Sequence, residues 1–322
     1  MARRVRLEIA CLFALLGVAT PLAAAEDGDP PTPSPPLPVV PVGEVVATTT
    51  RSERANLETP GNITVIERED IEKSGARNVP DLLRREAGIW VTNDSTNPEG
   101  YRIEARGFEN GGGNGQGTLV LIDGVRVTEA ASSRPDWALL RLANIERIEV
   151  VRGPVNAAWG DNAEAGVIHI TTRSGEGAPV FESRGRFGSW DTYGGSIFAG
   201  GSQGALRASL FMDRLHTDAY RDRASFRDHS GVLKLGYDLG DVARFDLKGG
   251  YSSDRRERPG NLSQVEIDLF GRRAAEPSRN DNDQHTRVRF LDGTFEVFPE
   301  EDVTFRAVTW YRDRSDDGAV GT

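Results

Sequence analysis

The chain has 322 residues, 36 of them glycine, a single cysteine and a formal net charge of −10. Acidity, with the charges interleaved as in "DRRERP" and "YRDRSDD", excludes nucleic-acid binding, which runs on concentrated Lys and Arg. Glycine above the usual roughly 7% favours turns and strands over helix bundles.

Arg3, Arg4 and Arg6 form a basic start, an apolar run follows from Ile9, and Pro21 precedes the small residues Ala23, Ala24 and Ala25. This is the pattern of a cleaved secretion leader over residues 1–25, too short for a membrane span. Its removal takes away Cys11, the only thiol, and with it cysteine catalysis and thiolate metal sites. Residues 26–43 contain "PPTPSPPLPVVP", with seven prolines in twelve positions, a stiff extended linker that cannot build a core. The β-prone stretch after it, "GEVVATTTRS" at 43–52, is a poor core strand and a good strand to lend to another sheet's edge.

From residue 55 to 175 the pattern is mixed α/β. "NITVI" reads as a strand and "REDIEKSG" as a short helix capped by Gly75. A second helix takes Asn78 as N-cap and Pro80 in its first turn, and Gly88 stops it. "IWVTN" and "YRIEARGF" alternate as strands, and "TLVLIDGVRV" is a strand, an Asp-Gly turn and a returning strand. Residues 145–171, "IERIEVVRGPVNAAWGDNAEAGVIHIT", are strand, turn and strand. Gly153, Gly160 and Gly166 lie too far apart for a dinucleotide cradle.

Residues 176–322 contain seven segments of strand length, in the cleaner of which one parity is apolar and the other charged or small. Leu206, Ala208, Leu210 and Met212 alternate with Arg207, Ser209, Phe211 and Asp213. Tight turns "SQG", "GDV" and "PEED" alternate with long polar loops at 214–230 and 253–286. That asymmetry belongs to outer-membrane barrels and not to soluble sandwiches. His169, His216, His229 and His285 show no ligand spacing, and "NDND" at 280–283 lacks the EF-hand pattern. No nucleophile elbow is present. Neither an enzyme activity, a resident metal nor a cofactor is expected.

"NVPDLLRREAGIWV", "YRIEARGF", "TLVLIDGVRV" and "LANIERIEVVRGPVNAAWGDNAEAGVIHITTRSG" stand in the order and spacing of the plug domain of TonB-dependent outer-membrane transporters, which the stretch from Glu44 to Gly175 resembles. The resemblance implies an α+β plug domain followed by antiparallel transmembrane β-barrel strands, about seven of a barrel of about 22, so that the sequence reads as part of a longer protein. It implies import of a scarce nutrient across the outer membrane of a Gram-negative bacterium. The commonest family cargo is an iron–siderophore complex; cobalamin, haem and saccharides stay open, as does a non-transporting adhesion module. Any iron or cobalt would come with the ligand. The implied partners are TonB with its inner-membrane energising complex, outer-membrane lipid and the small-molecule nutrient. Glu44, Val45, Val46, Ala47 and Thr48 are similar to the TonB box. Arg106, Glu149 and Arg152 are carried over as a latch against the barrel wall. The implied ligand-facing loops contribute Asn93, Asn97, Phe108, Asn110, Asn114, Gln116, Arg134 and Trp137.

Overall fold

The computed structural model describes residues 45–46, 54–55, 62–86, 88–93, 101–105, 108–109, 117–127, 135, 137–155, 159–277, 283–300 and 303–319. The expected leader and linker at 1–43 lie outside them. So do Glu44, Ala47, Thr48, Asn97, Arg106, Asn110, Asn114, Gln116 and Arg134.

Val45–Val46 (β1) pairs antiparallel with Arg54–Ala55 (β2). Next comes Asn62–Glu67 (β3), then helix α1, Arg68–Ser74. Glu69 and Asp70 in its first turn and Lys73 in its last suit the helix dipole. Gly75 closes it in the left-handed region at φ 64°. In α2, Val79–Leu83, the Asn78 carboxamide oxygen accepts from the Asp81 N–H at 2.9 Å, as an N-cap should. This helix ends at Leu83, earlier than the sequence reading placed it; Gly88, at φ 78°, instead turns the chain into Ile89–Asn93 (β4). β4 pairs with Tyr101–Ala105 (β5), which pairs with Phe108–Glu109 (β6).

Thr118–Ile122 (β7), Val125–Arg126 (β8), Ile145–Arg152 (β9) and Gly166–Thr172 (β10) join β3 in a five-stranded sheet ordered β3-β9-β10-β7-β8. β10 and β7 run parallel; the other pairs are antiparallel. Both faces of this sheet are covered, which is why β7 is apolar without alternation. On one face Val120, Ile122, Ile148, Val150, Ile168 and Ile170 meet Ile71, Val79, Leu82 and Leu83 of the helices. On the other, Leu119, Leu121 and Val167 pack with Ala163 and Trp159. Each fully buried aliphatic chain contributes roughly 1.5–3 kcal/mol.

A second linker, residues 173–179, leads into a seven-stranded antiparallel meander: Val180–Gly188 (β11), Thr192–Gln203 (β12), Leu206–Thr217 (β13), Phe226–Leu239 (β14), Ala243–Glu257 (β15), Asp283–Glu300 (β16) and Val303–Ala319 (β17). Gly175 in the linker has φ 74°, and a Cβ there would lie 2.2 Å from the Ala208 carbonyl oxygen. No other residue fits that approach. The outer face of this wall carries Leu206, Leu210, Met212, Leu233, Leu235, Phe245 and Leu247, all exposed. Its inner face buries Arg207, Ser209, Phe211, Asp213, Asp228, Lys248 and Asp254. An apolar exterior of that extent is unsuited to water and suited to lipid. No helix among the described residues is long and apolar enough to cross a membrane.

The strands are longer than the sequence reading at the end away from the linker. The loops there shrink to 218–225 and 258–282. Polar sequence continues as strand because side-chain bonds satisfy it: Arg256 donates to Asp254 on its own strand at 2.7 Å and across to the Thr286 hydroxyl of β16 at 3.2 Å. The longer loop holds an unforeseen helix, α3, Gln264–Phe270, started by a capping box between Ser263 and Glu266.

Candidate functional site

The mixed domain sits against the inner face of the wall, and charge makes the seam. Its centre is Asp123, at the tip of the β7–β8 hairpin. Asp123 and Gly124 have φ of 50° and 82°, the pair of positive values that a two-residue hairpin turn with Asp-Gly adopts. The turn carries the carboxylate to two wall lysines. Asp123 Oδ2 lies 3.1 Å from Lys248 Nζ and 3.2 Å from Lys234 Nζ. Thr172, ending β10, donates its N–H to Oδ1 at 2.8 Å and its hydroxyl to Oδ2 at 2.7 Å. Lys234 also donates to the Thr172 carbonyl at 2.9 Å.

The wall itself explains why this carboxylate is needed. Lys234 and Lys248 are register partners on β14 and β15, directly opposite each other. Like charges so placed cost up to about 1 kcal/mol. Each charge-assisted hydrogen bond to a carboxylate returns about 1.5–3 kcal/mol, so the bridged arrangement wins. Asp292, the register partner of Lys248 on β16, takes its remaining charge at 2.8 Å. Burial alone would raise the Asp123 carboxyl. The two ammonium groups and the Thr172 donors outweigh burial and hold it well below the usual carboxylate range.

A second anchor reverses the signs. Arg141, before the 3-10 turn Leu142–Asn144, reaches two wall carboxylates. It pairs with Asp228 on β14 and lies 3.5 Å from Asp213 on β13. Arg186 of β11 also pairs with Asp213. Asp228 and Asp254 are register partners, so here the wall presents like negative charge and the domain supplies the cation. Lys234 and Asp228 stand six residues apart on β14, which separates the anchors by about 20 Å. Towards the sheet's edges, Arg184 of β11 pairs with Glu72 of α1 at 2.6 Å. Arg312 of β17 donates to the Arg126 carbonyl at 2.9 Å. The linker is pinned as well: Arg173 binds Glu182 at 2.6 Å, with its guanidinium 3.4 Å above the Phe198 ring centre.

Of the latch residues carried over from the resemblance, Glu149 and Arg152 are among the described residues. Glu149 is fully buried, 2.9 Å from Arg147, with His169 at 4.0 Å. Arg152 donates to Thr64 at 2.7 Å, to Asn62 at 3.2 Å and to Glu86 at 3.3 Å. These contacts tie the mixed domain to itself, because both residues lie on β9, the central partner of β3 and β10. The two central anchors on the wall rest on Asp123, Arg141 and Thr172, which the sequence reading passed over. Their one sequence signal is a lone lysine on the charged parity of each of two neighbouring strands, at Lys234 and Lys248.

Trp137 opens the 3-10 turn Trp137–Leu139. It is 4% exposed, belongs to the domain's main core, and its indole N–H donates to the Tyr101 carbonyl at 3.0 Å. Its ring is part of that packing. Asn93 ends β4 and Phe108 begins β6.

Residues 55–167 match the family model of the TonB-dependent receptor plug domain. The vitamin B12 transporter BtuB of Vibrio vulnificus (strain CMCP6) is 30% identical over 204 residues, covering 63% of this chain and 29% of the relative. The ferrienterobactin receptor of Escherichia coli (strain K12) is 26% identical over 303 residues, covering 79% of this chain and 36% of the relative. The chain thus spans about a third of the length of these relatives. Among solved structures, the pyoverdine outer-membrane receptor FpvA of Pseudomonas aeruginosa PAO1 superposes with a TM-score of 0.70 at 18% identity, over 86% of this chain and 40% of that one. That likeness concerns the fold.

Proposed function

The chain belongs to the TonB-dependent receptor family, and on that premise we propose that it forms the plug and early barrel wall of an outer-membrane importer. It is exported behind a cleaved leader and takes up a ferric siderophore. Segment 44–48 is gripped by TonB, and the proton-motive force, transmitted by the inner-membrane complex, displaces the plug. Asn93, Asn97, Phe108, Asn110, Asn114, Gln116 and Arg134 face the ligand. Arg106, Glu149 and Arg152 help latch the plug against the barrel wall until it is displaced.

The observation that carries this reading is the ionic seam. A plug sealed to its wall by apolar surface would lose roughly 25 cal/mol for every Å² rehydrated in each cycle. Ion pairs such as Asp123 with Lys234 and Arg141 with Asp228 exchange partners with water and with each other at lower net cost. The plug keeps its own apolar core throughout.

Likeness to a vitamin B12 transporter favours cobalamin as a second reading. Iron-starved cells expressing the gene, offered labelled ferric siderophores and labelled cobalamin, separate the two. We expect ferric uptake that stops with a protonophore and with deletion of 44–48. Uptake that survives the deletion rejects energised import. Cobalamin uptake alone selects the second reading, and surface binding without uptake selects an adhesion module.

A further inference from the structure

Outside the seam, the far end of the wall brings together Asp191, His216 and Asp218. Their sequence positions hid them: Asp191 sits in the β11–β12 hairpin, and His216 and Asp218 lie at the end of β13, across the strand pair that joins Tyr193 to His216. One ligand atom from each falls within 4.8 Å of the others. His216 Nε2 is 3.5 Å from Asp191 Oδ2 and 3.4 Å from Asp218 Oδ1.

Two independent features make this more than a patch of surface charge. The first is the spacing. Both contacts are longer than an N–H···O hydrogen bond, which settles near 2.9–3.0 Å. They match the edge of a tetrahedron instead: metal–ligand bonds of about 2.0–2.2 Å place neighbouring donor atoms about 3.3–3.6 Å apart. The second is the imidazole itself. His216 is 7% exposed and packs on the Tyr193 ring at 4.7 Å, yet its Nε2 hydrogen-bonds to none of the described residues. That nitrogen faces both carboxylates at ion-pair distance, as one nitrogen ligand beside two oxygen ligands would.

The surroundings hold the three donors in place. The Asp218 N–H donates to the Trp190 carbonyl at 2.8 Å, locking the two loops together. The Thr192 and Thr217 hydroxyls meet at 2.7 Å, and the Thr217 hydroxyl accepts from the Ala219 N–H at 3.1 Å. Asp191 and Asp218 are exposed and free to close the remaining edge. Both also line a cleft of about 370 Å³, from which water reaches a fourth position.

We propose that Asp191, His216 and Asp218 bind a divalent cation of the zinc class, which clamps the first hairpin to the end of β13. One imidazole with two carboxylates is a mixed nitrogen–oxygen set that suits Zn²⁺. Calcium asks for six to eight oxygens, which this group does not supply. The two carboxylates balance the cation's charge. The clamp is independent of which nutrient the receptor carries.

The test is isothermal titration of the purified, chelator-stripped full chain with Zn²⁺, with Co²⁺ as a spectroscopic probe. One equivalent is expected, resistant to excess Ca²⁺, with visible Co²⁺ absorption typical of a four-coordinate site. His216→Gln and Asp191→Asn should each weaken binding more than about tenfold, the loss that removing even an outer-shell partner produces. Asp191 is exposed, so its variant decides the matter if the histidine variant misfolds. Absence of a bound equivalent, displacement by Ca²⁺, or binding unchanged in Asp191→Asn would each overturn the site.

Discussion

In the plug, β7 buries all five of its residues, and β9 and β10 fill the space beneath it with Ile148, Val150, Ile168 and Ile170. In the wall, β13 turns Leu206, Leu210 and Met212 outward and buries Arg207, Ser209 and Asp213 with Phe211. Both regions are β-sheets with the same side-chain period; what differs is the medium on each side. The plug sheet has protein on both faces, so both parities become apolar. The wall has the plug on one face only and turns an apolar parity outward on the other, the pattern of lipid-facing barrels, while its buried parity carries charge. Two kinds of cohesion follow. Burial holds the plug together, and ion pairs hold it in place.

The sharpest way to break that contrast is to damage one cohesion and watch the other. Ile148→Ala removes a fully buried side chain from the plug core. It should cost about 3 kcal/mol, within the range for core truncations to Ala. Amide exchange should accelerate across β3, β9 and β10 and stay unchanged in β13 to β16. Equal loosening of the wall strands would show that plug and wall are one packed body.

The converse experiment is Asp123→Asn, which should weaken the seam by about 2 kcal/mol, as expected for losing charge-assisted hydrogen bonds. Lys248 keeps Asp292, so the orphaned charge is Lys234. Adding Lys234→Met to Asp123→Asn should therefore recover part of the loss, because an uncompensated buried charge costs more than an apolar replacement. Exchange at the β7–β8 turn and thermal displacement of the plug measure both. A double variant as weak as the single one would mean that Asp123 does not act through Lys234.

Much of this contrast was legible in the sequence. The plug motifs, the strands of the wall and the outward parity of Leu206, Leu210, Leu233 and Leu235 follow from period-two alternation alone. The ends of the strands did not, since Asp254, Arg256 and Thr286 look like loop until their register makes them neighbours. Nor did the seam. Asp123 reads locally as a turn residue, and its lysine partners lie more than a hundred residues along the chain. Arg152 read as a wall contact from its motif, and its observed bonds to Asn62, Thr64 and Glu86 depend on the order of strands in the sheet. Nor was the burial of Trp137 legible, because an aromatic beside a polar loop carries no mark of which way it turns.

The smallest effect, near neutrality, is in the response to pH, and it sharpens the comparison by separating the two regions along one axis. His169, on β10 of the plug, has a lowered pKa, chiefly because burial penalises the imidazolium, with Glu149 and Asp123 opposing that shift. Its unfolded value is about 6.5. As pH falls below that value the unfolded chain takes up a proton that the folded plug resists, so plug stability declines. Asp123, at the seam, is likewise lowered, but from an unfolded value of about 3.9. Its contribution is complete above that value and is lost only as pH falls further. Mild acidification should therefore loosen the plug interior while leaving the seam engaged. Amide exchange measured across the acid range should show β9 and β10 accelerating first and the β7–β8 turn holding until well below pH 4. His169→Gln should abolish the first phase and spare the second. If the turn were released together with β10 in the mild range, the seam would be drawing its strength from the plug's packing, and the separation into two cohesions would fail.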